Sequence, residues 1–228
     1  GIGKKYKSIE DVWKTRLSLN VSHGAICSSE LKRAVREKWQ TRADFTHQVF
    51  GFEFDLKEFN RAMSLKLNHY KAKAIFPLLM FGYTKEDCVD FFKGKSIEVP
   101  QTYKLGFRNN NCFKTGCVQG GIGYWKKIQE EFPEKFDKMA EVEHYITKKK
   151  QKPVTMLKDQ SRDAKAKGTN LVFLRKHPDY PDYKCLDDMR GRPVQPLMEC
   201  NGFCGVNDFN PINETEKEIN FQFDMFKE

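Results

Sequence analysis

The stretch from Asn109 to Trp125 reads Asn-Asn-Asn-Cys-Phe-Lys-Thr-Gly-Cys-Val-Gln-Gly-Gly-Ile-Gly-Tyr-Trp, and it constrains the chain more than any other. Three consecutive Asn suit a turn, because Asn tolerates left-handed backbone angles and hydrogen-bonds its own main chain. Cys112 and Cys117 then bracket a short loop containing Gly116, in the manner of a metal or cluster knuckle. Gly120, Gly121 and Gly123 follow, and a helix is expected to open near Tyr124. Such a junction leaves backbone N–H groups to meet a sulfur cluster or an anion.

A chain of 228 residues suits one large domain, or one domain with a subdomain. With 39% hydrophobic residues and 19 Phe it can bury a core, and with 31% charged residues it reads as a soluble protein. No apolar run approaches the length of a membrane span, and nothing at the start reads as a signal peptide. The chain opens on Gly1 rather than Met, which points to a processed or shortened N-terminus. The net charge of +9 has two readings: a well-solvated basic surface, or a polyanionic partner such as DNA, RNA or nucleotide phosphates. The aromatics are not arranged as an RNA-stacking signature, so charge alone does not choose. The seven cysteines, an odd number without a secretion signal, argue against a disulfide framework. They fit a reducing compartment with metal or thiol chemistry, which points to the cytoplasm.

Along the chain, Ser8 is expected to cap a helix over residues 8–19, with Ile9, Val12, Trp13 and Leu17 on one face. Residues 21–27 read as a loop, and Ser28 or Ser29 as the cap of a helix to about Gln40 whose inner face is Leu31, Val35 and Trp39. Cys27 falls just before that helix, where the macrodipole and nearby Lys32 and Arg33 favour a thiolate. A buried inert thiol is the alternative. Residues 46–54 read as a short strand, and Asp55 as the cap of a helix to about Tyr70 with Phe59, Met63 and Leu67 inward. Pro77 marks residues 74–81 as a buried extended segment or bend. Thr84 caps a further helix to about Lys93, with Cys88 packed in it. Residues 122–150 read as two helices split at Pro133, the second ending in three lysines that suit a helix C-terminus. Residues 158–168 read as a mobile loop, and residues 171–174 as a short apolar run. There is no internal repeat and no phosphate-binding G-x-x-x-x-G-K-[ST] loop.

Cys112-x4-Cys117 and Cys200-x3-Cys204 are two close pairs. Brought together they would make a tetrahedral four-sulfur site for zinc or an iron–sulfur cluster. The spacings are not those of a zinc ribbon. Cys27 is a possible extra ligand and Cys185 the weakest candidate.

The central stretch resembles the phosphoadenylyl-sulfate (PAPS) reductase family, within the adenine-nucleotide alpha-hydrolase-like group, in its phage and bacterial form. The resemblance rests on Gly106-Phe107-Arg108-Asn109-Asn110-Asn111-Cys112, then Cys117-Val118-Gln119-Gly120-Gly121-Ile122-Gly123-Tyr124-Trp125 and Phe132-Pro133-Glu134-Lys135-Phe136. Gln119 stands where the family often has Lys. Cys27-Ser28-Ser29-Glu30-Leu31-Lys32 is similar to a further family element, as are Glu58-Phe59-Asn60-Arg61, Phe76-Pro77-Leu78-Leu79 and the pair Cys200 and Cys204. The similarity covers most of residues 20–205.

The resemblance implies a Rossmann-like three-layer α/β sandwich with a parallel sheet. Residues 1–108 would be the remainder of its nucleotide-binding domain, and residues 109–228 a Cys-rich helical C-terminal region. It implies ATP or PAPS as nucleotide, with Lys32, Arg33 and Arg61 contacting phosphate or ribose, and Asn110, Asn111, Gly120 and Gly121 completing the binding site. It implies a four-iron four-sulfur cluster, or zinc, on Cys112, Cys117, Cys200 and Cys204, and Cys27 as nucleophile. The family's pyrophosphate loop and the acidic segment after its second strand are absent from this sequence, so its N-terminal strands are expected to be missing.

Two functions remain open at this point. One is sulfur transfer or reduction on an adenine nucleotide or sulfonucleotide. The other is a non-catalytic relative that binds nucleic acid or a protein partner and carries a structural metal. Several residues also have plainer roles open to them. Arg61 can simply pair with Glu58, Asn109–Asn111 can simply shape a loop, and Tyr124 and Trp125 can simply pack a helix. The five His share no spacing.

Overall fold

The computed structural model describes residues 5–19, 25–112 and 116–195. The architecture is mixed helix and sheet, with long helices and two small sheets.

Helix α1 (Ile9–Arg16) begins where expected, with the Ser8 hydroxyl accepting from Asp11 N and Val12 and Trp13 fully buried. The next helix starts earlier than expected. It runs as α2 (Ile26–Ser28), a π-helical turn (Ser29–Arg33) and α3 (Ala34–Gln40), with no side-chain cap. Cys27 is therefore inside the helix, 7% exposed, rather than in front of it. The π turn also explains why Val35 and Trp39 stand 43% and 46% exposed. The one extra residue rotates everything after it by about 100°, so Leu31 packs against the core while Val35 and Trp39 are carried off it. Trp39 stacks instead on Phe45, with ring centres 5.2 Å apart.

Residues 48–75 form one βαβ unit. Strands β1 (Gln48–Val49) and β2 (Ala74–Ile75) are parallel, and α4 (Leu56–Asn68) connects them. The ladder is far shorter than the strand expected over residues 46–54. Asp55 caps α4 by accepting from Lys57 N and Glu58 N. The buried face of α4 is Glu58, Arg61, Ala62, Ser64 and Leu65, and Leu67 is 61% exposed. The inward row is thus displaced from Phe59, Met63 and Leu67. A buried ion pair between Glu58 and Arg61 takes part of it, with the Arg61 guanidinium 5.2 Å from the centre of the Phe52 ring. Phe52 stacks on Phe76 at 5.3 Å, and with Ala62, Leu65, Ala72 and Ala74 they make a small separate core.

Pro77 opens a short helix, α5 (Pro77–Met80), as its first residue, where its missing N–H costs nothing. Helix α6 (Lys85–Gly94) begins in a full capping box between Thr84 and Asp87. Helix α7 (Gln101–Lys104) leads into the central motif. After it come α8 (Ile122–Glu131) and α9 (Pro133–Lys150), divided at Pro133 as the sequence indicates.

The second sheet is β3 (Leu157–Lys158), β4 (Leu171–Phe173) and β5 (Lys184–Cys185), with β4 central, antiparallel to β3 and parallel to β5. Between β3 and β4, where a mobile loop was expected, α10 (Arg162–Ala166) is capped by Ser161. Helix α9 holds this sheet by a buried polar stripe. The two Glu143 carboxylate oxygens accept from Met156 N and Leu174 N, each at 2.6 Å. One turn on, the Thr147 hydroxyl donates to Val154 O and accepts from Val154 N, both at 3.1 Å. The larger apolar core joins the two sides of residue 108, with Val12, Trp13, Cys27 and Phe107 packed among Trp125, Ile128, Phe136, Ile146 and Leu174. Among the described residues no helix is long and apolar enough to cross a membrane.

Candidate functional site

The central motif is held by close packing. Gly106 adopts φ 81° and turns the chain from α7 into Phe107, whose N–H donates to Thr102 O. Asn109 and Asn111 are buried, while Asn110 is exposed and accepts from the Thr102 hydroxyl at 2.9 Å. The Asn110 contact ties the triplet back to α7. Cys112 sits in left-handed backbone at φ 47°, and Gly116 N donates to Cys112 O to close the cysteine loop.

The glycines are required chiefly by what stands next to them. A Cβ on Gly116 would lie 2.4 Å from the Trp125 indole, and its φ of 80° excludes other residues without strain. A Cβ on Gly120 would meet the Tyr124 ring at 2.2 Å, and one on Gly123 the Pro193 carbonyl oxygen at 2.3 Å. Gly121 differs. It is the exposed N-cap of α8, with nothing within 4 Å of where its Cβ would be.

Cys117 is buried and Cys112 half-buried against the same apolar core that contains Cys27. Tyr124 lies beside both Cys112 and Cys117. Burial first, then the neighbouring Cys117 and Cys112 sulfurs, push its phenol pKa up, so the ring stays neutral. None of the five described cysteines is disulfide-bonded. Among the described residues no group of three or more His, Cys, Asp or Glu is placed to hold a metal ion. Cys200 and Cys204 lie outside the described residues. The described part therefore supplies two thiols, half of the four that a zinc or iron–sulfur site of this kind takes.

Beside the motif lies an open cleft of about 1030 Å³. Its walls come from the N-terminal turns of α4 and α6, from Tyr103 on α7, from Gly106 to Asn109, from Lys127 on α8 and from Pro193 and Val194. Five cations line it: Lys57, Lys85, Lys93, Arg108 and Lys127. Lys93 pairs with Asp90 at 3.0 Å and Lys127 with Glu131 at 3.1 Å. Among the described residues, Lys57 and Arg108 form no ion pair. Apolar surface for a flat ring system comes from Phe54 and Tyr103, while the Phe107 ring is buried with Lys127 Nζ 5.7 Å from its centre. Glu53, Asp55, Glu58, Glu86 and Asp90 add negative charge on the α4 and α6 side.

The expected binding residues are placed variously. Arg61 is buried and reaches the cleft only through Glu58, its ion-pair partner, which lines it. Lys32 is exposed on the π turn, and Arg33 donates to the Ser29 hydroxyl at 3.0 Å. Neither lines the cleft, nor do Asn110, Asn111, Gly120 and Gly121, although Asn109 and Arg108 do. Lys57, Lys85, Arg108 and Tyr103 line the cleft and are not among the residues expected at the site. The signal available was Arg108 inside Gly-Phe-Arg-Asn, and a lysine one residue after the cap in Thr84-Lys85. The chain's His residues also hide a pair, since His144 and His177 have ring centres 4.5 Å apart. No family model, no curated protein and no solved structure matches the chain.

Proposed function

We propose that this is a PAPS reductase-like protein that binds an adenine nucleotide or sulfonucleotide in the cleft beside the central motif and takes part in sulfur transfer or reduction. The observation that carries the reading is that Gly106 to Asn109, the start of the motif on which the resemblance rests and including Arg108, lines that cleft together with Lys57. A cleft of this size accommodates a nucleotide. Phe54 and Tyr103 offer faces for a base, and Lys57 and Arg108 offer charge for phosphate or sulfate. The N-terminal ends of α4 and α6 both open on it, and their macrodipoles favour an anion. The β1–α4–β2 unit is the repeating element of a Rossmann-like sheet, and in this reading it belongs to one. Cys112 and Cys117 would be joined by Cys200 and Cys204 to hold an iron–sulfur cluster or zinc, which when bound would supply redox or sulfur chemistry.

The test is equilibrium binding of ATP and of PAPS to the full chain, with Arg108→Ala and Lys57→Ala beside it. Saturable binding of one nucleotide, weakened roughly tenfold by either substitution, is expected for loss of a charge-assisted contact. Binding of neither nucleotide, by protein whose iron, zinc and sulfide contents have been measured, overturns the reading.

A further inference from the structure

Helix α9 ends in Lys148, Lys149 and Lys150, and Lys152 follows its C-cap. A cation there is favoured by the helix macrodipole, which accounts for lysine in the last turn. It does not account for the rest of the arrangement. Lys14, on α1, stands against the same corner. The Lys14 and Lys149 Nζ atoms lie 5.5 and 5.8 Å from the centre of the Tyr145 ring. Tyr145 is 41% exposed, on a helix whose neighbouring positions 142, 143, 146 and 147 are buried.

The charge at this corner is not neutralised locally. Nearer the start of both helices, Lys138 pairs with Glu10 at 3.4 Å, and at the end of α1 Arg16 pairs with Glu30 of the π turn at 3.5 Å. Among the described residues, Lys14, Lys148, Lys149, Lys150 and Lys152 form no ion pair. Glu141, one turn before Tyr145 on the exposed face, bounds the patch on its acidic side. The result is an exposed aromatic ring with Lys14 and Lys149 against it, next in the chain to the exposed Lys148, Lys150 and Lys152, on a chain of net charge +9.

We propose that this α1/α9 corner binds single-stranded nucleic acid, with an unpaired base stacking on Tyr145 and phosphates lying along Lys14 and Lys148–Lys150. Lysines alone would serve any polyanion. The exposed ring is what selects a strand with free base faces, because a duplex keeps its bases stacked inside. None of Lys14, Tyr145, Lys148, Lys149 and Lys150 lines the cleft, so the surface stands independently of the nucleotide reading.

The experiment is fluorescence anisotropy with labelled oligothymidylate of about 20 nucleotides, long enough to cross such a patch, and with a duplex of the same length, over a salt series. Wild-type protein is expected to bind the single strand more tightly than the duplex. Tyr145→Ala should weaken single-strand binding about tenfold, the effect of losing one stacked base, with duplex binding unchanged. Tyr145→Phe should bind as the wild type does, since it keeps the ring. Replacing Lys148, Lys149 and Lys150 by Ala should make the log–log salt slope shallower by about 2, at about 0.7 for each phosphate that is no longer neutralised. Equal binding of single strand by wild type and Tyr145→Ala overturns the proposal. So does equally tight binding to phosphatidylserine vesicles that Tyr145→Ala leaves untouched, which would assign the lysines to a lipid surface.

Discussion

Glu143 offers the sharpest test of how the second half of the chain is held together. It lies on the buried face of α9 with no solvent exposure, and both its oxygens accept backbone N–H groups, from Met156 and Leu174 at 2.6 Å. Glu143→Gln keeps the shape but changes the donor set. The amide has one acceptor oxygen, so one of the two backbone N–H groups faces an NH2 instead. A buried donor left without an acceptor costs about 1–3 kcal/mol. The pH dependence is a second signature. Burial, partly offset by the two N–H bonds, raises the Glu143 carboxyl from 4.5 to about 8. The folded state thus holds the proton more tightly than the unfolded state does. The stabilisation is complete below about pH 4.5 and is lost as pH rises through about 8. Its ceiling over that window is on the order of 5 kcal/mol. Gln does not titrate. In urea unfolding at pH 5, 6.5 and 8, wild type should therefore exceed Glu143→Gln by most at pH 5, and the gap should narrow steadily towards pH 8. A gap that widens with pH would mean that Glu143 is held as a carboxylate by its two N–H donors, and would refute the argument.

Two further outcomes follow from the glycines and the caps. Gly123→Ala places a methyl group 2.3 Å from the Pro193 carbonyl, which forces backbone to move and should cost about 1–3 kcal/mol. Gly121→Ala, with open space around it and negative φ, should change stability by less than about 1 kcal/mol. The pair is read by thermal melting, and equal effects would contradict the packing described. Thr84→Ala removes one half of the capping box of α6 and should cost about 1 kcal/mol. Unchanged melting and unchanged amide-exchange protection across residues 85–94 would show that the box contributes nothing.

The helices whose ends carry their own chemistry were legible. Ser8, Asp55 and Thr84 each accept the N–H groups of a first turn, and Pro133 divides two helices because it can begin a helix but not continue one. Inner faces were less legible, for a physical reason. Periodicity assumes an unbroken 3.6-residue turn and an apolar inner face. The π turn at Ser29–Arg33 breaks the first assumption, and the Glu58–Arg61 pair and Glu143 break the second. The Glu58–Arg61 pairing open to the sequence is made, and it lies on the inner face of α4, where the apolar row Phe59, Met63 and Leu67 was expected. The strands were overread because residues 46–54 are rich in Phe, and their rings build a cluster around Phe52 and Phe76 rather than a long ladder.

The site divides along the same line. The composition of the central motif could be read because each unusual residue answers to an immediate neighbour: Gly116 to Trp125, Gly120 to Tyr124, Asn110 to Thr102. The cleft could not be read, because its walls are assembled from α4, α6, α7, residues 106–109 and α8, which are far apart in the chain. No spacing rule joins Lys57 to Arg108. What joins them is that capped helix N-termini, Asp55 on α4 and Thr84 on α6, converge on the segment just before the Asn triplet. The cap oxygens satisfy the first-turn N–H groups, a task that a lysine ammonium, a donor only, could not perform. Lys57 and Lys85 line a shared space, and a motif that seemed complete in sequence supplies only one wall of it.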